Sequence, residues 1–125
     1  INLVGTVDVY QVNHHGLDVS NNPVLVKSVA PTVSIMNNGS TKGCGPQTFA
    51  TLKSTKSIQA MYQVHKNLRK DGDKNNAPEE YIANITDAKD RQVYTLKLSV
   101  TADGKSYTVS NPRNGHKRTF KTRQH

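Results

Sequence analysis

Residues 7–18 have the sequence Val-Asp-Val-Tyr-Gln-Val-Asn-His-His-Gly-Leu-Asp, in which a strand pattern runs into a polar turn. Valines at positions 7, 9 and 12 surround Asp8 and Tyr10, and this density of β-branched residues predicts a strand over residues 4–12. The strand ends at His14 and His15, where Gly16 allows the backbone to bend tightly. Because α/β proteins place ligands in loops at the carboxyl ends of strands, this turn is the first candidate site. The alternative is a surface turn that happens to contain histidines, since a zinc site normally needs three or four ligands.

Predicted helices and strands alternate after the turn. Asn22 is a good N-cap and Pro23 suits the first helical position, so a short helix is predicted there. The predicted elements are a helix over 24–29, a strand over 32–36, a helix from Pro46, a strand over 60–64 and a helical turn over 79–84. This alternation predicts an α/β core.

The last third of the chain changes to an alternating pattern. From Val93 onward, apolar and polar residues alternate as far as Val100, which predicts a strand. Asp103-Gly104 and Asn114-Gly115 are signals for tight turns between antiparallel strands. We therefore predict strands over 107–110 and 119–122, and a mixed sheet that ends in an antiparallel meander.

Composition excludes several classes of protein. The 125 residues are enough for one domain, and only 34% of them are apolar. No apolar run approaches the roughly 18 residues that a membrane-spanning helix needs. The single cysteine excludes an internal disulfide framework.

The formal net charge of +8 is concentrated at the end of the chain. Residues 111–125 contain five basic residues and no acidic one. These are candidate contacts to nucleic-acid phosphates: Arg113, Lys117, Arg118, Lys121 and Arg123. The alternative is a charged edge strand, because such charges prevent unwanted pairing between sheets.

Two further residues have both a functional and an ordinary interpretation. Cys44 lies in a glycine-rich loop before the helix at Pro46, where a thiol can become reactive or the loop can bind an anion. No histidine neighbours it in sequence, so an unreactive thiol is the alternative. His65 follows a predicted strand as His15 does, and it either lines the same edge or is a solvated histidine.

Residues 7–23 resemble the last metal-binding segment of metallo-β-lactamase-fold hydrolases, in the bacterial branch related to ComEC-type competence proteins. In that branch a strand leads into a His-His-Gly turn, with Ser or Asn a few residues later. The segments 32–39, 42–43, 61–65 and 82–84 are similar to the same branch. The resemblance implies an αββα sandwich of two similar halves, with one or two zinc ions at the rim between them. It implies that His15 is the last metal ligand and that His14 contacts the substrate.

The same resemblance implies ligands that this sequence lacks. The sequence has no His-x-His-x-Asp-His motif. It also lacks, before the turn, the histidine and the bridging aspartate that follow this motif in the family. Zinc sites in proteins use three or more protein ligands, so one imidazole does not hold the ion. We therefore expect residues 1–125 to be the C-terminal part of a metal-dependent hydrolase of the phosphodiesterase or nuclease type. Alone, it is expected to be inactive and to bind zinc weakly.

Two other classes of function remain open from the sequence. One is a small basic module that binds nucleic acid through its C-terminal residues. The other is a protein-interaction half-domain, whose exposed sandwich face pairs with a missing N-terminal half or with a second copy. Neither interpretation includes a membrane-spanning segment.

Overall fold

The computed structural model describes residues 2–124 and has a mixed α/β fold with two separate sheets. Four parallel strands form the first sheet in sequential order: β1 (Val9–Gln11), β2 (Val33–Met36), β3 (Ala60–His65) and β4 (Ile82–Asn84). Three antiparallel strands form the second: β5 (Lys97–Val100), β6 (Ser106–Asn111) and β7 (His116–Lys121). The helices are α1 (Pro23–Val29) and α2 (Pro46–Ser54), with 3-10 turns at Asn13–Gly16, Asp18–Ser20 and Glu79–Tyr81.

Local signals set the ends of the two helices. The side chain of Asn22 accepts a hydrogen bond from the backbone N–H of Val24 at 2.8 Å, and Pro23 is the first helical residue, which confirms the predicted start of α1. The second helix also begins with a proline, but a distant residue caps it. The carboxylate of Asp18 accepts from the backbone N–H of Thr48 at 2.8 Å.

The parallel sheet is covered on both faces, as parallel sheets in proteins generally are. On one face, a buried cluster joins the sheet to the helices through Val12, Val26, Met36, Cys44, Phe49 and Leu52. On the other, a second cluster joins it to the antiparallel sheet through Val33, Ala60, Tyr62, Tyr107, Val109 and Phe120. The core therefore consists of two apolar layers, one on each side of the parallel sheet.

A hydrogen-bonded chain crosses between the two sheets. The hydroxyl of Tyr62 lies 2.8 Å from Nε2 of His116, and Nδ1 of the same ring lies 2.9 Å from the Glu80 carboxylate. Burial raises the pKa of Tyr62 to about 12, so its hydroxyl stays protonated at neutral pH. These two hydrogen bonds satisfy polar atoms that the apolar layer would otherwise leave without partners.

The structure corrects two details of the predicted topology. The meander does not extend the parallel sheet into one mixed sheet, because it forms its own sheet and packs face to face on the first. The segment over 79–84 is helical only as far as Tyr81, and residues 82–84 form a fourth parallel strand beside β3. Ile82 is only 1% exposed, so burial against the sheet decides its conformation over local helix signals.

Within the described chain, the longest helix is α2 with nine residues, and no helix is long and apolar enough to cross a membrane.

Candidate functional site

The histidine turn, residues 13–16, lies at the carboxyl end of β1 and has an unusual backbone. His14 (φ 47°, ψ 54°) and His15 (φ 58°, ψ 12°) are both in the left-handed region, and Gly16 follows with φ 83°. Residues with side chains rarely adopt this conformation, which costs roughly 1–2 kcal/mol for each one. Such strain persists only where the surrounding structure imposes it, and it concentrates at functional sites.

A second loop imposes this conformation. In the glycine loop, residues 43–45, the backbone N–H of Cys44 donates to the His15 carbonyl at 3.0 Å, and that of Gly45 donates to the Gly16 carbonyl at 2.8 Å. Gly43 has a φ of 81°, and a Cβ at this position would overlap the carbonyl oxygen of His15. The two loops are therefore in direct backbone contact, and glycine is required where they meet.

Arg69 holds the glycine loop from its other side. Its guanidinium donates to the carbonyls of Gly43 at 2.6 Å and Cys44 at 2.9 Å. Asp71 orients the same guanidinium through contacts to Nε and Nη2 at 3.1 and 3.2 Å, and it accepts a further bond from Asn75. Sequence analysis missed this support, because an arginine in a polar loop carries no signal that its partners lie 25 residues away.

The Asp71 carboxylate should make the glycine loop sensitive to acid. Hydrogen bonds from Arg69 and Asn75 lower the pKa of Asp71 to about 2 from 3.8. A lowered pKa in the folded state means that this stabilisation is complete above pH 3.8 and is lost as the pH falls toward 2. We expect Asp71→Asn to lower the thermal midpoint at neutral pH and to flatten its dependence on pH in that range. Calorimetry across the range measures both effects.

Asp73→Asn is the matched control for that prediction, because Asp73 is an exposed acid in the loop that also contains Asp71. Its midpoint should follow the pH dependence of the unmodified chain. Identical profiles for the two variants would contradict the role assigned to Asp71.

The side chain of His15 is oriented by a backbone carbonyl. Its Nδ1 lies 2.7 Å from the carbonyl oxygen of Asn37, at the end of β2. A carbonyl can only accept, so Nδ1 carries the proton and the lone pair of the neutral ring is on Nε2. Histidines that bind metals are held in this way, with one ring nitrogen bonded to a carbonyl or carboxylate and the other free for the ion.

His14 lies beside this ring and is exposed to solvent. The centroids of the two imidazoles are 5.8 Å apart, and Nδ1 of His14 lies 3.2 Å from the hydroxyl of Ser20. The next acidic residue, Asp18, does not join them, since its carboxylate caps α2.

The other predicted histidine does not complete a metal site. His65 is buried at the end of β3, with Nδ1 2.8 Å from the Lys66 carbonyl and Nε2 3.5 Å from the Asp87 carboxylate. Across residues 2–124, no three His, Cys, Asp or Glu side chains are grouped so that they could hold an ion. A metal ion at His15 would therefore need further ligands from outside these residues.

Cys44 is a buried packing residue in this arrangement. Its thiol donates to the carbonyl of Asn75 at 3.2 Å, and burial raises its pKa to about 11. A thiol that stays protonated at neutral pH is a poor nucleophile. The structure therefore favours the unreactive interpretation of this residue.

The basic residues near the C-terminus separate into three environments. Arg113 donates to the carbonyls of Ile82 at 3.0 Å and Glu79 at 2.7 Å, so it fastens the start of β4. Lys117 is exposed on β7, which is an edge strand of the antiparallel sheet. The other three, Arg118, Lys121 and Arg123, line a cleft of about 560 Å³ together with Lys56, which the sequence did not identify.

No family model, curated protein or solved structure matches the chain.

Proposed function

We propose that this chain supplies the last ligand-bearing turn of a metal-dependent hydrolase, with Nε2 of His15 as the ligand. The observation that carries the proposal is the bond from Nδ1 of His15 to the Asn37 carbonyl, which leaves Nε2 as the lone-pair nitrogen. The strained backbone of the turn supports it, because the fold maintains an unfavourable conformation at these histidines.

His14 is proposed to contact the substrate beside the metal. Its ring is exposed and adjacent to that of His15, and its Nδ1 is held near the Ser20 hydroxyl. An imidazole in this position can donate a hydrogen bond to an anionic oxygen of a phosphodiester or stabilise charge that develops on it.

Zinc suits an imidazole ligand, and when bound it would lower the pKa of a water molecule so that hydroxide is available near neutral pH. The contribution of this chain is to fix the ring of His15 and to place His14 beside it. The remaining ligands are proposed to come from another segment or another chain, since residues 2–124 group no three metal-binding side chains.

The arrangement of layers supports the proposal that this chain forms half of an αββα sandwich. One helical layer packs on the parallel sheet, and the antiparallel sheet packs on the opposite face. The inner face of the antiparallel sheet also extends beyond the part that the parallel sheet covers. Leu98 and Val100 pair across the strands with the buried Val109 and Tyr107, yet they are 40% and 61% exposed. We propose that another segment of the sandwich, or a second copy of this chain, covers this surface.

The proposal is tested on the protein expressed from its complete reading frame. Elemental analysis should find one or two zinc ions per domain, and hydrolysis of bis(p-nitrophenyl) phosphate should stop after chelation and return with zinc. A protein purified without metal, and inactive after zinc is added, would overturn the proposal.

A further inference from the structure

The basic cleft lies at the edge of the parallel sheet opposite the histidine turn. Its lining includes Thr32 and Gln59, which immediately precede β2 and β3, whereas His15 follows β1 at the carboxyl edge. The other wall is β7 and the residues after it. The cleft is therefore separate from the proposed metal site.

Four basic residues line this cleft, and no acidic residue does. They are Lys56, Arg118, Lys121 and Arg123. The salt bridges found among residues 2–124 include none of the four. One carboxylate lies nearby, because Asp8 accepts a hydrogen bond from the backbone N–H of Arg123 at 2.9 Å. The excess of positive charge would attract and concentrate anions.

The two guanidinium groups are held in place while most of their donors stay open. Arg118 lies over the Phe120 ring at 4.9 Å, and only its Nη1 contacts protein acceptors, at the long distance of 3.4 Å. Arg123 donates from Nε to the Thr32 hydroxyl at 3.1 Å. Among the described residues, their remaining N–H groups have no acceptor, and a planar guanidinium with free donors matches a phosphate group.

A further polar atom in the lining also lacks a partner. The hydroxyl of Ser57 is buried and makes no hydrogen bond with any described residue. Buried hydroxyls are nearly always bonded, so this one is a candidate donor to a ligand.

We propose that this cleft binds the phosphate backbone of a single nucleic-acid strand. Four cations exceed the charge of one phosphate group, so a ligand with several phosphates matches the lining better than a single ion does. Proteins that bind single strands combine a positively charged groove with aromatic side chains on which bases stack, and this cleft offers the first of these two features. Phe120 is 5% exposed and lies under Arg118, so it offers no surface for base stacking. Binding should therefore depend on charge and not on base sequence.

The test is fluorescence anisotropy with a labelled oligothymidylate at increasing NaCl. Each phosphate contact to a single strand contributes about −0.7 to the slope of log affinity against log salt, so three to four contacts predict a slope of about −2 to −3. Lys56→Gln and Lys121→Gln should each make the slope shallower by about 0.7. An oligoadenylate of the same length should bind equally.

Lys117→Gln is the matched control, because it removes the same charge from an exposed position on β7 outside the cleft. It should leave slope and affinity nearly unchanged. A loss equal to that of Lys121→Gln would show diffuse attraction and overturn the proposal, as would absence of binding at low salt.

Competition with inorganic phosphate at matched ionic strength distinguishes a nucleic-acid strand from a free phosphate ion as the ligand. Failure to displace the strand supports the proposal, whereas full displacement would mean a small-anion site instead.

Discussion

Replacing His15 with alanine is expected to remove most of the zinc from the protein expressed from its complete reading frame. Loss of an outer-shell partner alone typically costs about 10- to 100-fold in metal affinity, so loss of a ligand should cost on the order of 100-fold or more. Hydrolysis of bis(p-nitrophenyl) phosphate should fall together with the metal. Elemental analysis and the rate with excess zinc measure the two effects.

His14→Ala is the matched control, because it removes the neighbouring imidazole from the same turn. Zinc content should stay near that of the unmodified protein, whereas turnover should fall if His14 contacts the substrate. Full zinc and full hydrolysis in His15→Ala would contradict the assignment of the ligand. Loss of zinc in His14→Ala alone would exchange the proposed roles of the two histidines.

Replacing Gly43 with alanine is expected to be among the most destabilising single substitutions in this chain. The φ of 81° disfavours any residue with a side chain, and the added Cβ would overlap the His15 carbonyl oxygen, which is backbone and has little freedom to move. The conformational cost of roughly 1–2 kcal/mol is then increased by displacement of the two loops, giving about 3 kcal/mol or more. Urea unfolding measures the change.

Gly104→Ala separates the two contributions. Gly104 has a φ of 69° in a turn between strands, and an added Cβ there has no atom within 4 Å. This variant should lose about 1 kcal/mol from backbone conformation alone. Equal destabilisation by the two substitutions would show that contact between the loops adds nothing at Gly43.

Local signals predicted the elements that have local causes. Asn22 and Pro23 fix the start of α1 because the cap and the first helical residue are neighbours in sequence. Likewise, the glycines at 104 and 115 take positive φ in the predicted turns of the antiparallel sheet. The histidine turn was predicted for a similar reason, since a strand followed by His-His-Gly indicates where the two side chains emerge.

The support of the site and the basic cleft depends on contacts between distant parts of the chain. Arg69 reaches Gly43 across 26 residues, and His15 reaches Asn37 across 22, and neither spacing has a signature in the sequence. Lys56 joins the cleft only because β7 packs beside the loop before β3.

The sequence by itself determined where helices and turns begin and which residues carry imidazole or positive charge, since caps, glycine conformations and side-chain chemistry are local properties. Only the tertiary structure decided the fourth parallel strand, the separate antiparallel sheet, the orientation of His15 and the division of the basic residues. These depend on which distant surfaces are buried against each other, and burial is a property of the whole fold.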